Sequence, residues 1–393
     1  MLKAKDWKGN IIGNNGGNID FIECAWNRNL KECGDFMVYL ALAEYNRLNK
    51  LGLKYVENVG RPELGIIQKI EYEKETKGAF VTISGFFVDK LLDFATYRKK
   101  FVVDTTTGVK PSIVDYLSKA NATVGGIKPL GNIEFSEDSV FPNEQACEID
   151  EGEKAGEALY TILSGDNYGY TASINHYPQN AEDELTLKVK VFKGRDLTKG
   201  DSAVYFGKAF NNVSSVEYKF DDSGNQCFYE VLQDVNQEHY SNFSTTYFPI
   251  KYTEKNNGEM SYIIGCYFNW NSNAPENVGN SKPKAVLKTS LSSDEVDLEN
   301  TTTQNQKKIR NLLESKAKLD MLDNYKVEEI ACNVIQERYK YLQDYDLGDK
   351  CIVYIDDLGL TYSSVITEIE ETHKSNRVEI KVVLGTPRKI KKG

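Results

Sequence analysis

The sequence has few of the residues that build metal centres and disulfide frameworks. Histidine occurs only as His176, His239 and His373, and no two of these have the HExxH spacing of a zinc hydrolase. Cysteine occurs seven times, always singly, as Cys24, Cys33, Cys147, Cys227, Cys266, Cys332 and Cys351. An odd count without a CxxC pair argues against a zinc site or a disulfide framework and fits a reducing compartment. We expect no metal and no cofactor.

Long apolar runs are also missing. No stretch of about 18 apolar residues could form a membrane span. The charged start, Met1–Trp7, is not followed by the apolar segment of a secretory signal, so we do not expect a cleaved leader. The net charge is −10 and the one basic run, 388–392, lies at the end of the chain. Because binding to phosphates needs clustered cations, we expect no sequence-specific recognition of nucleic acid.

No catalytic motif stands out. Nothing in the sequence pairs a cysteine with a histidine in the way that a thiol nucleophile requires. A glycosidase needs only two carboxylates, and the chain has 58 acidic residues, so cell-wall hydrolysis stays open as the least favoured reading. We predict a protein that is not an enzyme.

A duplicated strand-turn-strand unit is the most informative feature that is present. Residues 65–85 and 365–385 both read as a hairpin, with apolar residues at strand spacing on either side of a charged tip. Ile67, Ile70, Glu71 and Val81 of the first copy correspond to Ile366, Ile369, Glu370 and Ile380 of the second, and the closing Gly85 and Gly385 differ in spacing by one residue. Two related units in one chain predict an internal pseudo-symmetry, and a trimer of such chains would present a pseudo-sixfold ring.

The chain is too long for one ordinary core, and its patterns predict a β-rich α+β, multidomain protein. Two related, tube-like β-barrel domains enclose an α+β middle domain and a helical insertion. The predicted boundaries are 1–100 for the first β-barrel, 101–193 for the α+β domain, 194–270 with 342–393 for the second β-barrel, and 271–341 for a linker and the helical insertion.

Within these domains, several elements have clear patterns. Pro111 can open one helix of the middle domain, and a second helix spans about 153–163. The pattern of residues 203–232 predicts three strands that form a meander, with a hairpin turn at 221–225. The insertion predicts two helices, one around Ile309–Ala317 and one over Val327–Tyr341, from apolar residues at helical spacing.

The segment Asp346–Asp349 predicts a turn that enters the second barrel. Gly348 permits a tight backbone turn, and Asp349 can accept local N–H bonds there. Cys351, Val353 and Ile355 then alternate towards a core.

Both ends of the chain resemble one known family. Tyr341–Tyr354, Val365–Ile369 and Val383–Gly385 resemble the closing barrel of phage tail proteins of the siphovirus Gp37-like family, within the wider group of tail hub, or baseplate hub, proteins. Trp26–Phe36, followed by Gly65–Ile67 and Val81–Gly85, is similar to the opening barrel of that family. The structural motif that carries the resemblance comprises Trp26, Gly34, Phe36, Gly85, Leu347, Gly348, Asp349 and Gly385.

The resemblance implies a homotrimer in which six barrels surround a channel. Such a ring would adapt a hexameric tail tube to a trimeric spike or fibre, and its partners would be the tail tube or distal tail protein and the spike or fibre protein. The implied location is the virion tail of a phage or of a phage-tail-like particle, assembled in the cytoplasm of the bacterial host. No lytic extension is expected, so any lysin would be a separate protein.

A second reading is a host cell-surface carbohydrate-binding module at the tail tip. The aromatic-rich stretches Tyr160–Tyr177 and Phe228–Tyr262 motivate it, in a chain with 24 tyrosines. Tyrosine suits such surfaces because it combines an apolar ring with a polar tip.

Overall fold

A computed structural model of the chain describes residues 1–221 and 327–385, apart from 14, 104–107, 123–127, 144–146, 164–166, 181–182 and 375–376. Between these stretches it describes residues 302–305, 308 and 312 and six short strands. The described part is mostly antiparallel sheet with few helices.

The first sheet unit is built from strands with one covered face. In β2 and β3 every second side chain is buried, which is the period-two pattern of a half-buried strand. Helix α1 (Leu42–Asn49) connects β3 to β4. The strands are β1 (Leu2–Lys5), β2 (Glu23–Asn29), β3 (Asp35–Ala41), β4 (Tyr55–Asn58), β5 (Leu64–Glu75) and β6 (Gly78–Phe87).

The middle domain follows a 3₁₀ helix over Val88–Phe94 and packs two helices against a three-stranded sheet. Both helices bury residues at the i, i+3, i+4 and i+7 positions, and Pro111 lies in the first turn of α2, where proline is tolerated. The two predicted helices are thus confirmed. The elements are β7 (Phe101–Val102), α2 (Val109–Ala120), β8 (Asn132–Phe135), β9 (Glu148–Ile149), α3 (Ala155–Ile162), β10 (Tyr168–His176) and β11 (Thr186–Lys193).

The second sheet unit is assembled from strands on both sides of a long interruption. It has its own core, which includes Phe206, Cys332, Val353, Ile369 and Val382. The strands are β12 (Tyr205–Phe206), β13 (Val213–Asp221), β20 (Val327–Val334), β21 (Lys350–Ile355), β22 (Leu360–Lys374) and β23 (Arg377–Gly385). The interruption contributes β14 (Phe228–Leu232), β15 (Thr246–Phe248), β16 (Glu254–Asn256), β17 (Glu259–Tyr262), β18 (Gly265–Asn269) and β19 (Val286–Thr289).

Two sequence predictions in this half are wrong. The segment Val327–Val334 is strand β20 and not the start of a helix, because pairing with β13 and β23 favours its equally good alternation of Ile330, Cys332 and Val334. The meander is also wrong, since β13 pairs with β20 whereas β14 pairs with β18 and β19 in a separate sheet. Most of the other predicted insertion helix, 309–317, lies outside the described residues.

The two units have the same topology. The main sheet runs β1-β4-β5-β6-β3-β2-β22-β23-β20-β13, with β21 on the edge of β22 and β12 beside β21. The order β2-β3-β6-β5-β4 in the first unit is therefore repeated as β13-β20-β23-β22-β21 in the second, and both runs use their strands in the same chain order. Among the described strands no pairing closes either unit, so closure into barrels stays a prediction.

The two hairpins match residue by residue at a constant offset of 299. Glu75 pairs with Gly78 across the first tip and Lys374 with Arg377 across the second. A β-bulge follows Ile67 in β5 and Ile366 in β22, which are equivalent positions. Because a bulge fixes the local register and twist, this shared irregularity is a structural mark of duplication. Gly85 corresponds to Leu384, one residue before the predicted Gly385.

Candidate functional site

The two sheet units are joined edge to edge, and we call this contact the intrachain joint. Strand β2 of the first unit pairs antiparallel with residues 368–374 of β22, from Glu23 opposite Lys374 to Asn29 opposite Glu368. The β4–β5 turn and the segment before β21 cover this pairing with charged side chains. The joint fixes how the two units stand relative to each other, and it is our candidate functional site.

Arg28 is the central cation of the joint. It lies on the buried face of β2, where the alternation of the strand would otherwise place an apolar residue. Its Nε donates to Glu63 Oε1 at 2.6 Å, and its Nη1 donates to Tyr341 Oη at 2.8 Å and to Asp346 Oδ1 at 2.5 Å. Burial opposes the charge, but the neighbouring oxygens of Glu63, Tyr341 and Asp346 raise the pKa of Arg28 well above its ordinary value.

Glu371 is the matching buried anion on β22. Only 1% of its side chain is exposed, and Arg61 binds it through two hydrogen bonds of 2.6 Å. His373 makes a further hydrogen bond to the same carboxylate. Burial alone would raise the pKa of Glu371, but the bonds from His373 and Arg61 outweigh it and lower the pKa to about 2.

These two clusters bridge residues more than 300 positions apart in sequence. Arg61 also stacks over Tyr341, with the guanidinium carbon 5.1 Å from the ring centre, so Tyr341 contacts both clusters. Buried ion pairs add little to stability over apolar packing, but they are costly to break because an unpaired buried charge remains. Removing one partner of either cluster should therefore weaken the joint.

The N-terminal motif residues form an aromatic core next to the joint. Trp26 is fully buried, with ring centres 5.5 Å from Phe36 and 4.8 Å from Phe87. A Cβ at Gly34 would lie 2.2 Å from the carbonyl oxygen of Asn27, and one at Gly85 only 1.8 Å from that of Ile66. Both glycines permit a close approach of backbones that any other residue would obstruct.

The C-terminal motif residues form a tight turn that ties the second unit to the end of the middle domain. Gly348 has φ +87°, a conformation that favours glycine, and Leu347 is buried. Asp349 accepts the N–H of Asp346 at 2.8 Å, as predicted, and it also binds the backbone and guanidinium of Arg195. Gly385 ends β23 opposite Val365.

Neither a metal cluster nor a reactive thiol is found at the described residues. Within the described ranges, no three His, Cys, Asp or Glu side chains are grouped so that they could hold a metal ion. Burial raises the pKa of the Cys33, Cys332 and Cys351 thiols well above the ordinary value, which disfavours a reactive thiolate. The described geometry serves packing and pairing of strands.

The aromatic stretch in the middle domain is core rather than surface. Tyr160, Tyr168 and Tyr170 are all buried, and Tyr160 donates to the buried carboxylate of Asp89 at 2.9 Å. These three rings are therefore not exposed platforms on which a sugar could stack. The other stretch, 228–262, has no described side chains.

The first hairpin, in contrast to the second, has one strand edge without a partner among the described strands. On its outer edge, β5 pairs with β4 through residues 64–66, and no described strand pairs with this edge beyond that point. Ile70 and Tyr72 on this part of β5 are 52% and 59% exposed. Strand β13, at the other end of the sheet path, pairs only with β20 among the described strands and leaves its second edge open. Open edges with apolar side chains are sites of strand addition.

Comparisons with known proteins identify the architecture. No protein-family model matches the chain, and no curated protein matches it by sequence. Among solved structures, a tail protein from Neisseria meningitidis MC58 is similar with a TM-score of 0.51 and 11% identity, over 98% of this chain and 95% of that one. The prophage tail protein gp18 from Listeria monocytogenes EGD-e is similar with a TM-score of 0.50 and 11% identity, over 99% of this chain and 94% of that one.

The chain has the fold of prophage tail proteins. The similarity spans nearly the whole of each chain, so it is not limited to one of the two sheet units. In the part of the chain that is described, no helix is both long and apolar enough to cross a membrane.

Sequence reasoning missed the charged residues of the joint. Arg28, Arg61, Glu63 and Glu371 have no local motif, and each meets its partner only through tertiary structure. One signal was available for Arg28, which interrupts the otherwise apolar inward positions of β2 after Cys24 and Trp26.

Proposed function

We propose that the protein is a structural hub of a phage tail or phage-tail-like particle. In this role three copies form a ring that adapts a hexameric tail tube, or the distal tail protein, to a trimeric spike or fibre. The shared fold with two tail proteins supports a place in the tail. The observation that carries the proposal is the repetition of one five-stranded topology, with a matching bulge in both hairpins.

The duplication supplies the geometry that an adaptor needs. Three chains with two like units each would present six near-equivalent sheet edges to a sixfold tube. The middle domain and the insertion between β13 and β20 occur once per chain, so they would keep the threefold order that a spike requires. β2 and β3 of the first unit are joined by a short loop, whereas β13 ends at Asp221 and β20 begins at Val327. The two sheet units therefore share a strand topology but differ in the segment that joins their first two strands.

The test is the mass and symmetry of the purified chain. Mass photometry should give a species of about 134 kDa, three times the chain mass of 44.5 kDa. Class averages from electron microscopy should show a ring with six sheet units and threefold outer features. A chain that stays at 44.5 kDa at micromolar concentration, and is also single in purified tails, would contradict the proposal.

A further inference from the structure

The intrachain joint predicts how one copy would meet the next. In that joint β2 of the first unit adds to the outer edge of β22 in the second hairpin. The equivalent edge of the first hairpin is the edge of β5 beyond residue 66, and the equivalent of β2 is β13; among the described strands, this edge of β5 and the second edge of β13 have no partner. Within the described strands, this contact is formed once, between β2 and β22. The two edges that would form a second such contact, on β13 and β5, are both unpaired among these strands.

The equivalence of β2 and β13 can be followed pair by pair. Gly85 and Leu384 are equivalent in the two hairpins; Phe36 pairs with Gly85, and Ile330 pairs with Leu384. Trp26 pairs with Phe36, and Tyr218 pairs with Ile330, so Tyr218 of β13 stands where Trp26 stands in β2.

The register of the second contact follows. Trp26 lies opposite Glu371 in the intrachain joint, and Glu371 corresponds to Tyr72 at the offset of 299. Tyr218 of one copy would therefore lie opposite Tyr72 of the next. One residue further along, Lys219 would lie opposite Glu71.

We propose that β13 of one chain pairs antiparallel with the open edge of β5 in a second copy, with Tyr218 opposite Tyr72 and Lys219 opposite Glu71. This interface rests on the proposed hub function and names the contact that closes its ring. It is heterologous, since each copy offers β13 on one side and β5 on the other, and such contacts close into rings when the rotation permits.

The side chains at the two edges suit each other. Tyr72 and Ile70 are apolar groups exposed on an open edge, and Tyr218 already stacks on Tyr362 with ring centres 5.6 Å apart. In this register Glu217 would lie opposite Glu73, which is a like-charge pair. Lys219, directly opposite Glu71 and diagonal to Glu73, would offset that repulsion. The interchain contact would be aromatic where the intrachain joint has its buried carboxylate, Glu371.

Site-specific cross-linking tests the register. Glu71 and Lys219 are exposed, so Glu71→Cys and Lys219→Cys should leave the fold intact. In the double variant, a short bismaleimide should join chains into covalent dimers and trimers on a denaturing gel. The matched control is Glu71→Cys with Ser215→Cys, on the same face of β13 but about 13 Å away along the strand, at ~3.3 Å per residue. The control should give several-fold less product. The unmodified chain, treated in the same way, shows how much product the seven native cysteines give by themselves.

Mixing the single variants separates interchain from intrachain products. Glu71→Cys alone and Lys219→Cys alone should give no cross-link, whereas their mixture should give dimers. Mass photometry on the same samples distinguishes the two proposals. Trimers that form without a preference for the 71–219 pair would overturn this interface and leave the hub function standing, whereas the absence of trimers would overturn both.

Discussion

The two hairpins of this chain have the same register and the same bulge, yet they have opposite surroundings. In the second, Ile369 is fully buried and β2 covers the strand edge. In the first, the equivalent Ile70 is 52% exposed and the edge of β5 is open among the described strands. A position that is core in one hairpin is therefore surface in the other, because among the described strands only the second hairpin has a neighbour paired with this edge.

The comparison distinguishes the pairing that forms each hairpin from the pairing that covers its outer edge. β5 pairs with β6 from Gly65 to Glu75, including the part that has no second neighbour among the described strands. Exposed apolar groups on an unprotected edge are a liability that soluble proteins avoid unless a partner covers them.

The largest expected effect is loss of the charge cluster that distinguishes the intrachain joint. Arg28→Leu leaves the buried carboxylate of Glu63 without its cation, and we expect a loss of about 3–5 kcal/mol in the free energy of unfolding. Urea denaturation followed by circular dichroism measures it. The matched control is Arg377→Leu, whose ion pair with Glu379 is exposed and should be worth at most about 1 kcal/mol. Equal losses for the two variants would show that the joint does not depend on Arg28.

The comparison itself is tested by the same substitution at the two equivalent isoleucines. Ile369→Ala removes a fully buried side chain and should cost about 2–5 kcal/mol of unfolding free energy. Ile70→Ala should cost the isolated chain no more than about 0.5 kcal/mol, as for other surface changes. Denaturation of each variant at a concentration where single chains dominate provides the measurement. A large cost for Ile70→Ala under those conditions would mean that another part of the chain covers the first hairpin.

A smaller effect is expected where the two hairpins differ in side chain, at Gly85 and Leu384. Gly85→Ala places a Cβ only 1.8 Å from the carbonyl oxygen of Ile66, and the strand must shift, at about 1–3 kcal/mol. Thermal unfolding should show a lower midpoint for this variant. Ser84→Ala, at the neighbouring position where a Cβ is already present, serves as the control and should unfold close to the unmodified chain.

A pH dependence of stability is also expected from the intrachain joint. The folded-state pKa of Glu371 is lowered from an ordinary 4.5 to about 2, so its carboxylate stabilises the fold above pH 4.5. That contribution should be lost as the pH falls from 4.5 towards 2. Glu371→Gln should unfold more easily at pH 7 and show a shallower decline in stability over that interval. Parallel pH profiles for the variant and the unmodified chain would contradict the assignment.

Local patterns in the sequence predicted many of the elements correctly. Helices α2 and α3 follow from apolar residues at helical spacing, and β3 and β21 follow from strict alternation. The duplicated hairpin was visible because equivalent residues kept a constant spacing through both strands. Gly348 and Asp349 form the tight turn that their chemistry predicted, with a positive φ at Gly348 and a local N–H bond to Asp349.

Other features depended on partners that are distant in the chain. Val327, Ile330, Ala331 and Val334 fit a helix as well as a strand, and pairing with two neighbouring strands decided for the strand. The meander prediction joined strands that are adjacent in sequence, but β13 instead pairs with a strand that begins at Val327. Among 58 acidic residues, nothing local marked Glu63 and Glu371 as residues that are buried against arginines.

The sequence by itself determined the repeated unit, because spacing, alternation and turn residues are properties of neighbours along the chain. Only the tertiary structure decided that the two units join through β2 and β22, that Arg28 and Glu371 lie buried at this contact, and that no described strand pairs with one edge of the first unit. These properties depend on which strands meet across long separations, and no local pattern encodes which edge is covered and which is free.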